Sequence, residues 1–450
     1  MNLPDAWRGG RVAVIGLGKS GTAATRLLVR EGVRVYASDA SPAPYAGAAA
    51  ETLRSLPGVE VELGRHDAAK IRAAAGVVVS PGVPPDAPPL VAARAAGVPI
   101  VSELDLGFRG LSGVRCIAVT GTNGKTTTTA LIAHLLVQAG LRAEAAGNIG
   151  RPLTDVALAA EPPQWLAVEV SSFQLHDSPH FAPEIGVLTN LAPDHLDRYP
   201  DVAAYYADKR LLFRNAMDDN VWVVNGDDPA ALELVAAARG RRVRFSLRGP
   251  GDGWYDAAER SLRLGGGELL RRDALQLLGL HNVANALAAA LAVQEAGIGP
   301  AAIAEGLRTF RPLPHRLEPV GEVNGVRWIN DSKATNVAST VVAIEAMDRP
   351  FVLLLGGRHK GEPYTSLVPL LRPRCRLVVA YGEAGPLVEH DLGGRVPLER
   401  GGDFDDVVAR ARRAARPGDA VLLSPACSSY DMFANYEERG ATFRRLALAA

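Results

Sequence analysis

The segment Val114–Ala139 constrains this chain more than any other. An apolar run, Val-Arg-Cys-Ile-Ala-Val-Thr, enters Gly121-Thr122-Asn123-Gly124-Lys125-Thr126-Thr127, and a helix-forming run follows through Ala139. A strand that passes through a glycine loop into a helix is half of a parallel βαβ unit, and a parallel sheet needs helices on its faces. The loop presents backbone amides at a helix N-terminus, which favours anions. Lys125 suits β- and γ-phosphates and the Thr126 hydroxyl suits Mg²⁺, so Gly121, Thr122, Asn123, Gly124, Lys125, Thr126 and Thr127 read as a site for ATP or GTP. The spacing departs from G-x-x-x-x-G-K-[ST], because Val119 stands where the first glycine belongs. The bland alternative is a Thr-rich helix cap.

The α/β rhythm recurs on both sides. Before the loop come the strands Arg11–Leu17 and Val33–Asp39, with a helix reaching about Arg30 between them, and the apolar run Gly-Val-Val-Val-Ser ending at Ser80. After it come Trp165–Val170, Ile185–Asn190 and Val221–Asn225, then an Ala/Leu-rich helix over Asn282–Ala296. A Pro-studded stretch, Arg311-Pro-Leu-Pro-His-Arg316, reads as a linker. Beyond it lie Val326–Asp331, Phe351–Gly357, Arg376–Gly382, Ala420–Ala426 and a charged closing helix. With 450 residues, three α/β domains are expected: 1–103 and 313–450 Rossmann-like, and 104–312 of the phosphate-loop type.

The first strand has a glycine turn of its own, Gly16-x-Gly18-x-x-Gly21, and Asp39 ends the next strand. Such a turn admits a diphosphate and fits a dinucleotide or any other nucleoside diphosphate. It also fits a tight βα turn that binds nothing. Two phosphate cradles in one chain disfavour hydride transfer, which has no use for a nucleoside triphosphate.

Composition narrows the class further. Lys plus Arg and Asp plus Glu each number 49, so no general nucleic-acid partner is expected. Three cysteines without C-x-x-C spacing, Cys116, Cys375 and Cys427, disfavour a disulfide framework and a thiolate zinc site and fit a reducing compartment. The run Val12–Leu17 is a poor signal-peptide core, and the longest stretch without Asp, Glu, Lys or Arg, Ala274–Gln294, carries His281, Asn282 and Asn285. A cytoplasmic protein without a membrane span is expected, and a monomer.

Further motifs stand in order along nearly the whole chain: GNIG (147–150), EVSSFQL (169–175), TNLAPDHLDRY (189–199), HNVAN (281–285), LPHR (313–316), NDSKATN (330–336), GGRHKG (356–361) and SPACSSYDMF (424–433). Together with TGTNGKTTT they resemble the Mur ligases, with GGRHKG and SPACSSYDMF resembling the branch that adds D-glutamate. The resemblance implies that ATP drives amide formation between the carboxylate of UDP-N-acetylmuramoyl-L-alanine and the amine of D-glutamate, through an acyl phosphate, in peptidoglycan precursor synthesis. It implies two Mg²⁺ ions held by Thr126, Glu169, His195 and Lys209, the last as a carbamate formed with CO₂. A carbamate forms only on a neutral amine, hence at a shifted pKa. On chemistry alone Mg²⁺ prefers oxygen ligands to His195, and a helix lysine is ordinarily solvated. Lys125 and Lys333 join Glu169, His195 and Lys209 as catalytic candidates.

The resemblance further assigns Asn282, Asn285, Arg316 and Asp331 to ATP. It assigns Gly18, Lys19, Ser20, Asp39, Ser80, Gly82 and Asn148 to the UDP substrate, and Thr335, Lys360, Ser429 and Tyr436 to D-glutamate; the family often has Phe where Tyr436 stands. His176 is a further candidate for the substrate cleft. Site residues from all three sections imply domain closure, with a hinge near Arg311–His315. The alternatives are folylpolyglutamate synthase or a Mur ligase for another amino acid, a phosphate-loop NTPase switch, and a nicotinamide oxidoreductase.

Overall fold

The computed structural model describes all residues except Asn2, Pro42, Ala43, Leu196, Asp197 and Ala450, and of Pro44 only the backbone. Leu196 and Asp197 of the TNLAPDHLDRY motif therefore lie outside the described residues. The strands form three sheets. The first joins β1 (Arg11–Ile15), β2 (Arg34–Asp39), β3 (Val59–Leu63), β4 (Gly76–Val79) and β5 (Ile100–Ser102) in the order β3-β2-β1-β4-β5, all parallel. Strand order reverses between β1 and β4, which opens a crevice at their C-terminal ends. Gly16 has φ +87°, and a Cβ at Gly21 would lie 1.7 Å from the Gly16 carbonyl oxygen, so the turn needs glycine at both places.

The second sheet contains β6 (Arg115–Thr120), β7 (Ala143–Gly147), β8 (Trp165–Glu169), β9 (Ile185–Leu188), β10 (Val221–Asn225), β11 (Arg241–Ser246), β12 (Gly253–Asp256), β13 (Ser261–Leu264) and β14 (Gly267–Arg271). Its order is β14-β13-β12-β11-β10-β9-β6-β8-β7, parallel from β7 to β12 and antiparallel at the β12–β13–β14 edge. The third sheet contains β15 (Glu318–Val323), β16 (Val326–Asn330), β17 (Phe351–Gly356), β18 (Cys375–Tyr381), β19 (Leu398–Arg400) and β20 (Ala420–Leu423) in the order β15-β16-β20-β17-β18-β19. Strand β17 is apolar without alternation because both its faces are covered: Phe351, Leu353 and Leu355 enter one core, Val352 and Leu354 the other. The fold is α/β throughout, with mostly parallel sheets.

Contacts divide the chain into two compact units, Met1–Ala274 with Ala284–Thr309, and Leu275–Val283 with Phe310–Ala450. The first unit holds two sheets under one continuous apolar cluster, which runs from Val12, Val14 and Leu27 through Leu104 and Leu106 to Ala118 and Val168. The helix Glu103–Gly110 sits inside this cluster. Buried Glu103 accepts from the Thr154 amide (2.7 Å) and hydroxyl (2.6 Å), and burial pushes its carboxyl up to about 7. Asp105 accepts from the His180 amide and ring.

Candidate active site

Each sheet of the first unit carries candidate residues at its C-terminal edge. Gly18, Lys19, Ser20, Asp39, Ser80 and Gly82 line one cleft of about 560 Å³ outside β1, β2 and β4, together with Tyr45 and His66. Asp39 accepts from the Leu17 and Ser41 amides, each at 2.7 Å, so the carboxylate shapes the turn as well as facing the cleft. Ser80 donates to the Gly16 carbonyl at 2.8 Å and ties the two strand ends together. Asn148 stands elsewhere, beside Glu169.

The phosphate loop leaves β6 and opens the helix Lys125–Gln138. Gly121 (φ +141°) and Gly124 (φ +84°) are required by conformation and by space. A Cβ at Gly121 would lie 2.0 Å from Thr189 Oγ1, and one at Gly124 would lie 2.3 Å from Asn285 Oδ1. The segment after β9 laces the loop in place. Thr189 Oγ1 donates to the Asn123 carbonyl at 2.6 Å, Asn190 accepts from the Asn123 amide and donates to its carbonyl, and Thr122 Oγ1 exchanges bonds with Ala192. Asn285 accepts from Thr128 at 3.3 Å, so it bears on the phosphate loop itself. Thr126 and Thr127 follow at the first helical turn, half-buried.

Lys125 folds back over this loop and donates to the carbonyls of Gly121 (3.0 Å) and Thr122 (2.8 Å). Lys209 donates to the same Gly121 carbonyl at 2.7 Å from the helix Val202–Arg210. It is 1 % exposed and lies 4.5 Å from the centre of the Tyr205 ring. Among the described residues it forms no ion pair. Burial and then the Lys125 charge push its pKa well below the ordinary lysine range, with Asp194 and Asp208 opposing. A helix lysine that is normally solvated is here a buried amine biased toward its neutral form.

Glu169 ends β8, beside Val119 of β6, and is 3 % exposed. Asn148 donates to its Oε1 at 3.1 Å, while Oε2 is buried with no hydrogen-bond partner among the described residues. A buried carboxylate oxygen without a donor is costly, and a hard cation would relieve it. These oxygens, and the Thr126 hydroxyl on a neighbouring strand's loop, fit Mg²⁺. His195 has φ +55°, and its ring meets Phe173 and Tyr205 edge-on, at 5.2 and 5.9 Å between centres. Among the described residues no cluster of three His, Cys, Asp or Glu side chains is arranged for a metal. His176 pairs with Asp208 at 2.9 Å, and Asp208 also accepts from the Tyr199 hydroxyl.

In the second unit the remaining candidates gather near the C-terminal ends of β16, β17 and β20. Asn282, in the first turn of the helix Leu280–Glu295, donates to the carbonyl of Leu278 in the segment before that helix at 2.8 Å. His315 (φ +62°) and Leu317 (φ +42°) flank Arg316 in left-handed backbone, a strained turn of the kind found at functional sites. Asp331 accepts from the Leu317 amide (3.1 Å) and the Ser424 hydroxyl (2.9 Å); burial pushes its carboxyl up to about 7, against the pull of Arg316. Lys333 lies 5.3 Å from the Tyr436 ring centre. Lys360 donates to Thr335 Oγ1 at 3.2 Å, and its loop is paired with the Ser429 segment through the Arg358 and Ser428 backbones. Ser429 is buried.

The sequence reading missed Arg439. This fully buried guanidinium donates to Ser332 Oγ (2.9 Å), the Ser332 carbonyl (2.8 Å) and the Cys427 carbonyl (3.1 Å), tying the NDSKATN and SPACSSYDMF loops together. One arginine in a closing helix with several of them carries no local signal. Tyr205 was missed as well; it shields Lys209 and donates to Thr122 at 3.4 Å.

Comparisons with known proteins agree with this layout. The MurD-like N-terminal domain of Mur ligases matches residues 10–102, the Mur ligase middle domain 119–293, and the glutamate ligase domain 315–427. The chain is 44 % identical to a UDP-N-acetylmuramoylalanine–D-glutamate ligase of Anaeromyxobacter dehalogenans, covering 98 % of each chain. It is also 44 % identical to one of Salinibacter ruber, with the same coverage. Among solved structures it resembles the UDP-N-acetylmuramate–alanine ligase MurC of Thermotoga maritima (TM-score 0.63, 20 % identity, 97 % and 98 % covered). A pseudomurein peptide ligase type C of Methanothermus fervidus is similar in fold (TM-score 0.61, 19 % identity, 97 % and 99 % covered). Carrying a phosphate loop laced as described, and matching such relatives along almost its whole length, the chain belongs to the Mur ligase family.

Proposed function

We propose that this ligase joins D-glutamate to UDP-N-acetylmuramoyl-L-alanine at the expense of ATP, in cytoplasmic peptidoglycan precursor synthesis, acting as a monomer divided at 103/104 and 312/313. The observation that carries the reading is the cluster of phosphate loop, half-satisfied Glu169 and buried Lys209 within one unit. A carboxylate is a poor electrophile. Transfer of the ATP γ-phosphoryl group to its oxygen gives an acyl phosphate and ADP; the amine then attacks the carbonyl carbon, phosphate leaves and the amine loses a proton. The protein's part is to align anions and offset their charge.

In this reading the loop amides of residues 121–127 and Lys125 hold the triphosphate, and Lys125 leaves the Gly121 and Thr122 carbonyls to do so. Asn285 braces the loop. Asn282 and Asp331 serve the nucleoside, and Arg316 a phosphate. Mg²⁺, when bound by Thr126, Glu169, His195 and a carbamate on Lys209, supplies charge neutralisation at the phosphates. Lys209 is suited to that modification because its amine is biased toward neutrality: nitrogen attacks CO₂, a C–N bond forms and one proton departs. Gly18, Lys19, Ser20, Asp39, Ser80 and Gly82 hold the UDP portion, and Asn148 orients Glu169. Lys360, Thr335, Ser429 and Tyr436 receive the D-glutamate carboxylates, with Lys333 beside the reacting phosphate.

Incubation with ATP, Mg²⁺, UDP-N-acetylmuramoyl-L-alanine and labelled D-glutamate should yield a labelled UDP-linked product. Preferred incorporation of L-alanine or a diamino acid from an acceptor panel would refute the substrate assignment. ATP hydrolysis without any amide product would refute the ligase reaction.

A further inference from the structure

The C-terminal sheet has a second cleft at its other pole, where β17, β18, β19 and β20 begin. It measures about 400 Å³, and Arg374, Arg376 and Arg416 face it. Ligands of open parallel sheets ordinarily bind at the opposite, C-terminal ends, so this cleft is separate from the candidate active site. Pro350, Pro373 and Pro397 form part of its wall. Each stands in a loop leading into a strand, and the fixed φ of proline stiffens those loops.

The arginines are held but not used up. Arg376 Nε donates to Asp419 Oδ2, and the Arg416 amide donates to the same oxygen at 2.9 Å. Asp419 is 2 % exposed, so Arg376 is anchored from within and its two Nη groups make no other bond among the described residues. Arg374 uses one Nη on the Met347 carbonyl. The Arg416 side chain makes no hydrogen bond or ion pair among the described residues and is exposed. Three guanidinium groups thus meet one carboxylate, which leaves two positive charges in a concave, proline-walled space of a chain whose net charge is zero.

We propose that this cleft binds a compact phosphate dianion, either free phosphate or diphosphate or the terminal phosphate of an ester. Planar guanidinium forks pair with phosphate oxygens through two parallel N–H···O bonds, and a dianion matches the excess charge. A concave cleft, rather than a basic stripe, favours a small ligand over a nucleic-acid backbone.

The test is calorimetric titration of the full chain, first saturated with ADP and UDP so that the nucleotide cradles are filled. Pyrophosphate, orthophosphate and glycerol 2-phosphate are titrated separately. One saturable site is expected, weakened by added salt and weakened about tenfold or more by Arg416→Glu or Arg374→Glu. Ligase turnover and melting temperature serve as fold controls. Arg416→Ala, which removes a side chain without bonds, keeps the test open should a charge reversal fail to fold. A preference for orthophosphate or pyrophosphate identifies the free anion as the ligand; a preference for the ester identifies a phosphorylated metabolite. No saturable heat on the presaturated protein, affinity unchanged in the variants, or duplex DNA binding more tightly at these arginines than pyrophosphate would each overturn the proposal.

Discussion

Two fully buried cations, one in each compact unit, meet the same desolvation and answer it differently. Lys209 lies under Tyr205 with the Gly121 carbonyl as its acceptor, next to Lys125, and is driven toward the neutral amine. Arg439 is equally buried and likewise lacks an ion pair among the described residues, yet four hydrogen bonds from its three nitrogens reach Ser332 and Cys427. A guanidinium does not deprotonate in a protein, whereas an ammonium readily does. The lysine position therefore favours a neutral amine, and the arginine position keeps a fixed charge that serves as a strut.

The widest gap between the two should show in substitutions. Lys209→Ala and Lys209→Arg are both expected to cut turnover about 10³-fold or more, since on the proposed function neither can form the carbamate that would help hold Mg²⁺ at the phosphates. Added bicarbonate should restore neither, and mass spectrometry under CO₂ should find one carboxyl adduct in the wild-type chain only. If Lys209→Arg kept its activity, the positive charge would be what matters and the contrast with Arg439 would collapse.

Arg439→Met comes next. It strands the Ser332 and Cys427 acceptors, and a loss of about 3 kcal/mol in denaturant unfolding is expected. The milder Arg439→Lys should raise KM for D-glutamate more than KM for ATP, because the loops it ties together carry Thr335 and Ser429, which the proposed function gives to D-glutamate. Equal changes in both constants would reduce Arg439 to general packing.

Buried acids extend the comparison. Glu103 keeps its proton in the fold up to about pH 7 but loses it near 4.3 when unfolded. Between those values the folded chain binds more protons, so stability falls as pH rises. Glu103→Gln should remove most of that fall, about 3 kcal/mol over the window, as read from unfolding curves at several pH values. The smallest effect belongs to a half-exposed cation, His176. The Asp208 hydrogen bond raises its pKa, so its contribution is complete below pH 6.5 or so and disappears as pH climbs through the raised value. His176→Gln should cost about 0.5 kcal/mol or less at pH 6 and nothing at pH 9.

The strands that carry chemistry were legible because each couples an unbroken apolar run to a glycine or a polar strand end. β1, β6, β8 and β17 all read this way, as do Gly121–Thr127, Asp39 and Glu169. The strands β11 to β14 were not read. Ser-Leu-Arg-Leu of β13 alternates over only four residues, and Gly-Trp-Tyr-Asp of β12, held between β11 and β13, has little apolar pattern to announce it. Burial of Lys209 could not be seen either, since it stands in the charged run Asp208-Lys209-Arg210 and its cover comes from Gly121 and Tyr205. Nor could the role of Asn285 against Gly124, a contact across 161 residues that only folding creates.

The Gly121 carbonyl is shared by Lys125 and Lys209. On the proposed function, drawing Lys125 toward a triphosphate removes a repelling neighbour, and the proton affinity of Lys209 is expected to rise as the nucleotide arrives. Nucleotide association thereby acquires a proton inventory: its heat should vary with the ionisation enthalpy of the buffer. An unmodified enzyme should take up a fraction of a proton that a carbamylated one does not. On that reading, a single peptide oxygen lets modification of Lys209 and nucleotide occupancy report on one another.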